Sequence, residues 1–405
     1  MRPMIWARAL PTAAIALALF SHPAAHAQTQ TPIKIGLPVS LTGPYGAEAQ
    51  DQVKNAELAA KEFNQAGGLN GRMVQILPRD DRLNPAEAAT RTLELIEKDN
   101  VDFIVGGLSA AAQLAINNVA KERKKIYVSI SQSDTINEAS DMSPYTFHEA
   151  LTPHITTQAV GKYAFKPGDR IAFITADYAF GHEATRGFTR AAKAAGAQVV
   201  GEIRHPLGAT DYSTFLPRIQ SMRPTVLVFN NFGRDNQISI RQASDFGMKD
   251  SMKFVTPVLS YASRLAGGHD VYKDVIGGTS YYWAIEDTVP SAKALNDRYR
   301  AEFGSGYPSD YGSMAYSAVK SLLEAVKIAG TTDAEKVIPV LENLKYDTYK
   351  GPQHYRKCDH QSVQSILVIT SKEKGKNASD VFQVLETIPG DESMLRTCAE
   401  LGHQG

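Results

Sequence analysis

Between Ile33 and Asp134 short apolar runs alternate with helix-patterned segments, and that alternation leaves few folds open. The runs fall at Ile33–Val39, Met73–Leu77, Asp102–Gly106 and Ile126–Ile130. After the first, Ala49, Val53, Ala56, Ala60 and Phe63 recur at i, i+4, i+7, i+11 and i+14, one apolar stripe of a helix. Gly67-Gly68 stops that helix, because glycine accepts the positive φ of a helix C-terminus. Asn84-Pro85 opens the next, with Asn as cap and Pro at the first helical position, and Ala89, Leu93 and Ile96 continue it. A third helix is expected to start near Ser109. Strands joined by helices in this way run parallel, so the segment predicts β-α-β-α-β-α-β with a sheet covered on both faces.

The order repeats after a break at about Ser143–Pro153. Strands are expected at Ile171–Thr175, Val199–Ile203, Thr225–Asn230 and Phe254–Val258, with a helix near Ser213–Ser221 and others ending at Gly196 and Phe246. Beyond Gly277, Thr279–Trp283 reads as an aromatic strand, and Ser291–Phe303, Asp310–Ile328 and Asp333–Leu344 read as helices. Ile366–Ile369 and Val381–Leu385 read as a hairpin. The fold class is therefore α/β, with two successive doubly wound halves. A chain of 405 residues is too long for one ordinary core and agrees with two.

The N-terminus has the pattern of an export signal. Arg2 and Arg8 precede an apolar run, Ala9–Phe20, and Ala25-His26-Ala27 supplies a cleavage site before Gln28. The run is shorter than the roughly 20 residues that span a bilayer, and no Cys follows it before Cys358, which argues against a lipid anchor. The mature chain is thus expected to be soluble in the periplasm. Cys358 and Cys398 are the two cysteines, and an oxidising compartment favours one disulfide between them over two buried thiols.

In open parallel sheets, ligands bind at the carboxyl ends of the strands. At that edge Ser109 stands where a helix cap belongs, so the amides of Ala110, Ala111 and Ala112 are placed to receive a carboxylate. An ordinary cap for its own helix is an equal reading of Ser109 taken alone. Ser129, Ser131 and Ser133 on the neighbouring loop weigh toward a site. Tyr45, Tyr178, Phe180 and Phe232 fall at turns on the same edge, as in an aromatic small-molecule cleft. Catalytic patterns are missing. Gly107-Leu108-Ser109 is followed by alanines, neither His148-Glu149 nor His182-Glu183 continues as a metalloprotease motif, and no phosphate loop occurs. No enzyme activity, cofactor or metal is expected. Lys+Arg and Asp+Glu are both 43, so nothing points to a nucleic acid.

The stretches IKIGLPVSLTGPYG, AELAAKEFNQAGGLNGRMVQILPRDDRLNPAEAATRTLELI and VDFIVGGLSA closely resemble the branched-chain amino-acid-binding proteins of ABC transporters. The resemblance implies the type I periplasmic binding protein fold: two Rossmann-like lobes joined by three crossovers, closing like a flytrap on a ligand between them. Those crossovers are expected near Phe147–Thr152, Gly277–Thr279 and Tyr355–Asp359. The first lobe would comprise 28–148 and 279–355, the second 149–278 and 356–405, after a signal peptide of 1–27. It also implies a monomer that delivers its ligand to the membrane permease of an importer. Carried over by position, the ligand carboxylate would be held at Ser109-Ala110 and Ser131–Ser133, with the Ala110 amide standing where the family has a serine. Tyr45 would cover the ligand, Phe180 stands where the family has a tyrosine of the second lobe, and Asn231-Phe232 fall in the turn where another tyrosine contacts the ligand. Tyr178, from the aromatic turns, and His148, at the first crossover, are further candidates.

One departure bears on the ligand. Amino-acid binders carry an acid after the strand Phe254–Val258 to pair with the ligand's ammonium. This chain reads Thr256-Pro257-Val258-Leu259-Ser260. A buried unpaired ammonium costs several kcal/mol. The expectation is a small carboxylate without an α-amine, an aromatic acid above all, with Val258 as an apolar replacement. The alternatives are an amino acid, if Asp177 or Glu149 takes the role, a ligand sensor, or a periplasmic enzyme.

Overall fold

The alternation of strands and helices closes into two sheets that repeat one strand order. The computed structural model describes residues 31–404 apart from 374, together with residues 1, 3 and 4, so most of the expected export signal lies outside the described residues. The first sheet contains β1 (Ile33–Val39), β2 (Val74–Asp80), β3 (Phe103–Gly106), β4 (Tyr127–Ser129) and β5 (Thr146–His148). All pairings are parallel, in the order β2-β1-β3-β4-β5. Helices α1 (Gly46–Gln65), α2 (Pro85–Glu97) and α3 (Ala110–Glu122) connect the first four strands. Asn84 caps α2 as its sequence foretells, accepting from the amides of Ala86 and Glu87 at 2.9 and 3.1 Å.

After α4 (Pro153–Ala164) the pattern starts again with β6 (Arg170–Ala176), α5 (Ala179–Ala194), β7 (Gln198–His205), α6 (Leu216–Ser221), β8 (Val226–Asn230) and α7 (Gly233–Asp245). It ends with β9 (Lys253–Val258), α8 (Tyr261–Gly267), α9 (His269–Tyr272) and β10 (Ile276–Thr279). The order β7-β6-β8-β9-β10 matches that of the first sheet, strand for strand. The chain then returns to the first lobe in α10 (Pro290–Phe303), α11 (Asp310–Ala329) and α12 (Ala334–Asn343), and α11 packs along α1. A small antiparallel sheet follows, from β11 (Lys345–Tyr346), β12 (Gln353–Tyr355) and β13 (Ser362–Val363). Finally β14 (Ile366–Ser371) pairs antiparallel with β10, and β15 (Phe382–Ile388) closes the second sheet's edge.

Apolar cores form on both sides. Ile35, Leu37, Phe103 and Val128 pack with Met314 and Leu322 of α11 under the first sheet. Ile174, Leu227, Phe229 and Ile369 do so under the second. Cys358 and Cys398 are bonded across 40 residues, with Cα atoms 6.1 Å apart, and the described residues contain no free cysteine.

Four local expectations are corrected. The first sheet has a fifth strand, β5, inside the segment read as a break; three residues are too few to carry a period-two pattern. The strand expected at Thr279–Trp283 lies earlier, in Ile276–Thr279, and Trp283–Asp287 is a 3-10 turn. Tyr281 and Tyr282 are side-chain anchors beyond the strand: the Tyr281 hydroxyl donates to Asn296 Oδ1 at 2.7 Å, and that of Tyr282 accepts from the Val381 amide at 3.0 Å. The helix sought near Ser213–Ser221 begins only at Leu216. The third passage between sheets follows Val363, not Tyr355–Asp359, because β12 and β13 pair with each other before the chain leaves the hinge.

Candidate ligand-binding cleft

The turns at the carboxyl ends of the parallel strands in the two sheets meet across the cleft, Tyr45 after β1 lying against Tyr178 after β6 and Phe232 after β8. In the first sheet the order reverses between β1 and β3, the place where doubly wound sheets leave a crevice. The turn after β3 delivers Ser109 in extended conformation, φ −95° and ψ 137°, just before α3. Its hydroxyl makes no capping bond, so the capping reading is corrected. No side chain caps the start of α3, a helix of 13 residues, which leaves the first-turn amides available to an anion.

Ala110 opens onto a cavity between the lobes, walled also by Leu108, Gln132, Tyr178, Phe180, Phe232 and Tyr311. Its volume is about 10 Å³, so the side chains close on one another. Phe232 meets Tyr45 edge-on at 5.0 Å between ring centres and Tyr311 at 5.2 Å. The Tyr45 and Tyr178 hydroxyls lie 3.0 Å apart across the cleft. Tyr45, Ala110, Phe180, Phe232, Val258 and Tyr311 belong to one buried apolar cluster that spans both lobes. Burial holds the phenols of Tyr45 and Tyr311 well above their ordinary value, so they act as neutral donors and acceptors.

The hydroxyl loop after β4 is buried: Ser129, Ser131 and Ser133 are each wholly enclosed. Their roles separate. Ser129 Oγ accepts from Gln113 Nε2 at 2.5 Å and serves the loop itself. Ser133 Oγ donates to Glu183 Oε1 of α5 at 3.3 Å, bonding lobe to lobe. Ser131 Oγ has no partner. His148 lies behind the loop, with Nε2 2.7 Å from the Ser131 carbonyl oxygen and Nδ1 2.7 Å from Asn137 Oδ1. Burial depresses it to about 4. It is absent from the cavity wall and supports the Ser131 backbone instead. Asn231 likewise turns inward, donating to Ser239 Oγ at 3.1 Å and accepting from Asn236 Nδ2 at 3.1 Å. Of that turn, only Phe232 reaches the cavity.

Carboxylates near the cleft are already engaged. Glu48 of α1 accepts from Ser260 Oγ at 2.9 Å and Ser263 Oγ at 2.6 Å, from the far lobe. Asp310 accepts the Tyr261 amide at 3.2 Å, and burial lifts it to about 7. Glu183 accepts the Asp134 amide at 3.1 Å and the Thr135 hydroxyl at 2.7 Å; burial and the charge of Asp134 lift it to about 7. The two acids considered as ammonium partners lie elsewhere. Asp177 is about half exposed and pairs with His182 at 2.7 Å. Glu149 is buried in the hinge, accepting from Tyr346 and Tyr355 hydroxyls at 2.6 and 2.9 Å. No acid lines the cavity among the described residues, nor does any group of three metal-ligating side chains occur among them.

Sequence reasoning passed over Leu108, Gln132 and Tyr311. Gln132 sits between the two serines it singled out, where a hydroxyl pattern drew attention from the amide. Tyr311 lies in the first turn of α11, far along the chain, and only the return of that helix to the first lobe brings it to the cavity.

Comparisons agree with this architecture. The periplasmic binding protein family matches residues 32–376. The crystal structure of a periplasmic binding protein from Burkholderia mallei is 30% identical, with a TM-score of 0.84 over 91% of this chain and 97% of that one. A Leu/Ile/Val-binding protein homolog 4 from Brucella abortus is 25% identical over 94% of this chain and 95% of its own. A solute-binding protein of an ABC transporter from Rhodopseudomonas palustris, in complex with 3,4-dihydroxybenzoic acid, is 21% identical with a TM-score of 0.78, covering 89% and 98%. The chain belongs to the periplasmic binding protein family, as a non-enzymatic solute-binding protein of the kind that serves ABC transporters.

Proposed function

We propose that the protein captures a small carboxylate lacking an α-amine, an aromatic acid, between its lobes and delivers it to the permease of an ABC importer. The observation that carries this reading is the uncapped start of α3 opening onto an aromatic wall that contains no acid. Helix amides suit a carboxylate. Stacked and edge-on rings suit an aromatic body. An ammonium would remain unpaired there, at a cost of several kcal/mol. The two kinds of ligand in the names of similar proteins, branched-chain amino acids and a hydroxylated benzoic acid, are the two to be separated.

Ser109, Ala110 and Ser131 would receive the carboxylate, while Tyr45, Tyr178, Phe180 and Phe232 enclose the ring. Because the cavity measures about 10 Å³, the lobes must part to admit a ligand, a hinge motion for which periplasmic binding proteins are the standard illustration. The chain is read as a monomer exported with cleavage before Gln28; no described helix is long and apolar enough to cross a membrane.

A thermal-shift screen of benzoate- and cinnamate-like acids against leucine, isoleucine and valine tests the proposal. Ligand at 100 times its Kd adds about 2.7 kcal/mol of stability. Stabilisation by aromatic acids alone is the expected result, and stabilisation by leucine alone overturns it. Intact mass of exported protein tests the cleavage site.

A further inference from the structure

Gln132 is 4% exposed, lines the interlobe cavity, and leaves its Oε1 without a hydrogen-bond partner. Buried carboxamides are nearly always satisfied, so an unpaired one in an aromatic wall points to a partner supplied by whatever enters. The Tyr311 hydroxyl lies beside it on the same wall, within hydrogen-bonding reach of the Gln132 side chain. The remaining wall offers little polarity: Leu108, Ala110, Phe180 and Phe232 present hydrocarbon, and the Tyr178 hydroxyl is taken by Tyr45. Beyond the carboxylate grip, then, the unpaired Oε1 of Gln132 is what remains to be matched, with the Tyr311 phenol beside it as a second neutral polar group.

That pair has a definite chemical complement. A carboxamide presents an acceptor and donors, and a phenol presents both roles, so together they fit an uncharged group that donates and accepts. A hydroxyl does this. An ammonium would call for a carboxylate, and a plain C–H would leave the amide unpaired. Resting on the carboxylate reading above, we propose that Gln132, with Tyr311, is the specificity-determining residue of the cleft and selects a hydroxylated aromatic acid over its unsubstituted parent. The principle is that a site built to bond a hydroxyl rejects the analogue lacking it, because its own buried polar groups are then left bare.

Titration calorimetry with the purified mature protein tests this, using benzoate, 3- and 4-hydroxybenzoate, 3,4-dihydroxybenzoate and leucine as ligands. In the unsubstituted protein at least one hydroxylated acid should bind roughly tenfold to a hundredfold more tightly than benzoate. Gln132→Leu should reduce that preference to within about threefold, as the hydroxylated acid weakens and benzoate, no longer facing a bare amide, binds as tightly or more so; a cooperative thermal melt like the parent's shows that the variant is folded. Tyr311→Phe should lose part of the preference, and Gln132→Asn should restore part of it. A preference unchanged in Gln132→Leu, or benzoate bound as tightly as every hydroxylated acid, overturns the inference and leaves the aromatic-acid reading standing. Leucine bound with no aromatic acid bound overturns that reading, and the inference with it.

Discussion

Tyr45 and Tyr178 meet hydroxyl to hydroxyl across the cleft at 3.0 Å, one from the turn before α1 and one from the turn before α5. Corresponding turns of the two repeated halves thus supply the two sides of one bridge, which exists only while the lobes are together. Tyr178→Phe removes the bond and keeps the ring. A net hydrogen bond contributes about 1 kcal/mol, so ligand affinity should fall about fivefold by calorimetry. An unchanged Kd would mean that the bridge does not contribute to the bound state.

Gly233 makes the same closure possible from the other turn. It holds φ +58°, and an added Cβ would sit 2.6 Å from the Tyr45 ring and 2.9 Å from the Pro44 carbonyl oxygen. The Arg234 amide donates to that carbonyl at 3.3 Å, so the backbones touch at this point. Gly233→Val should therefore hold the lobes apart. The expected outcomes are a loss of ligand affinity of about tenfold or more, and a radius of gyration by small-angle scattering that no longer shrinks on adding ligand.

Asp310 makes stability depend on pH. Burial, with Glu48 and Asp51 nearby, raises it to about 7 against an ordinary carboxylate value near 4. Between those values the folded chain holds a proton that the unfolded chain has released. The contribution of this group is therefore full below about pH 4 and is lost as pH rises through about 7. Asp310→Asn should flatten the fall in Tm between about pH 4 and pH 7. His148, depressed to about 4, has the opposite sign: its contribution is present above about pH 6.5 and is lost on acidification toward pH 4. A Tm profile for Asp310→Asn that parallels the parent's would show that Asp310 is not the titrating group.

The Cys358–Cys398 bond closes a loop of 40 residues that holds β13, β14 and β15. The chain-entropy model assigns such a loop about 4 kcal/mol. Cys358→Ser with Cys398→Ser should lower the denaturation midpoint accordingly. Because both cysteines lie outside the cavity wall, ligand affinity of the folded double variant should stay within about twofold. Two free thiols in unreduced, denatured protein would contradict the bond.

Much of the fold was legible because its signals are local. The Asn84-Pro85 start of α2, the Gly67-Gly68 stop and the buried runs of β1 and β3 all sit within one element's length. β5 and the three short strands of the hinge sheet were not legible, since runs of two or three residues carry no periodicity and form only against partners distant in sequence. The site divides in the same way. Turn positions pointed to Tyr45, Ala110, Phe180 and Phe232, which the fold brings into one cluster, whereas Asn231, from the same turn as Phe232, and His148, at the end of β5, face inward to buried polar partners. Side-chain direction at a turn depends on what lies behind it.

From the sequence alone came the two doubly wound halves, the edge proposed to bind ligand and the absence of an acid after β9, because strand order and turn placement follow from patterns along the chain. The tertiary structure alone brought Tyr311 from α11 beside Gln132, set Glu48 against Ser260 and Ser263, and left one carboxamide unpaired among aromatic rings. These depend on which surfaces the hinge folds together, and a contact between residues some 180 positions apart leaves no periodicity in either segment.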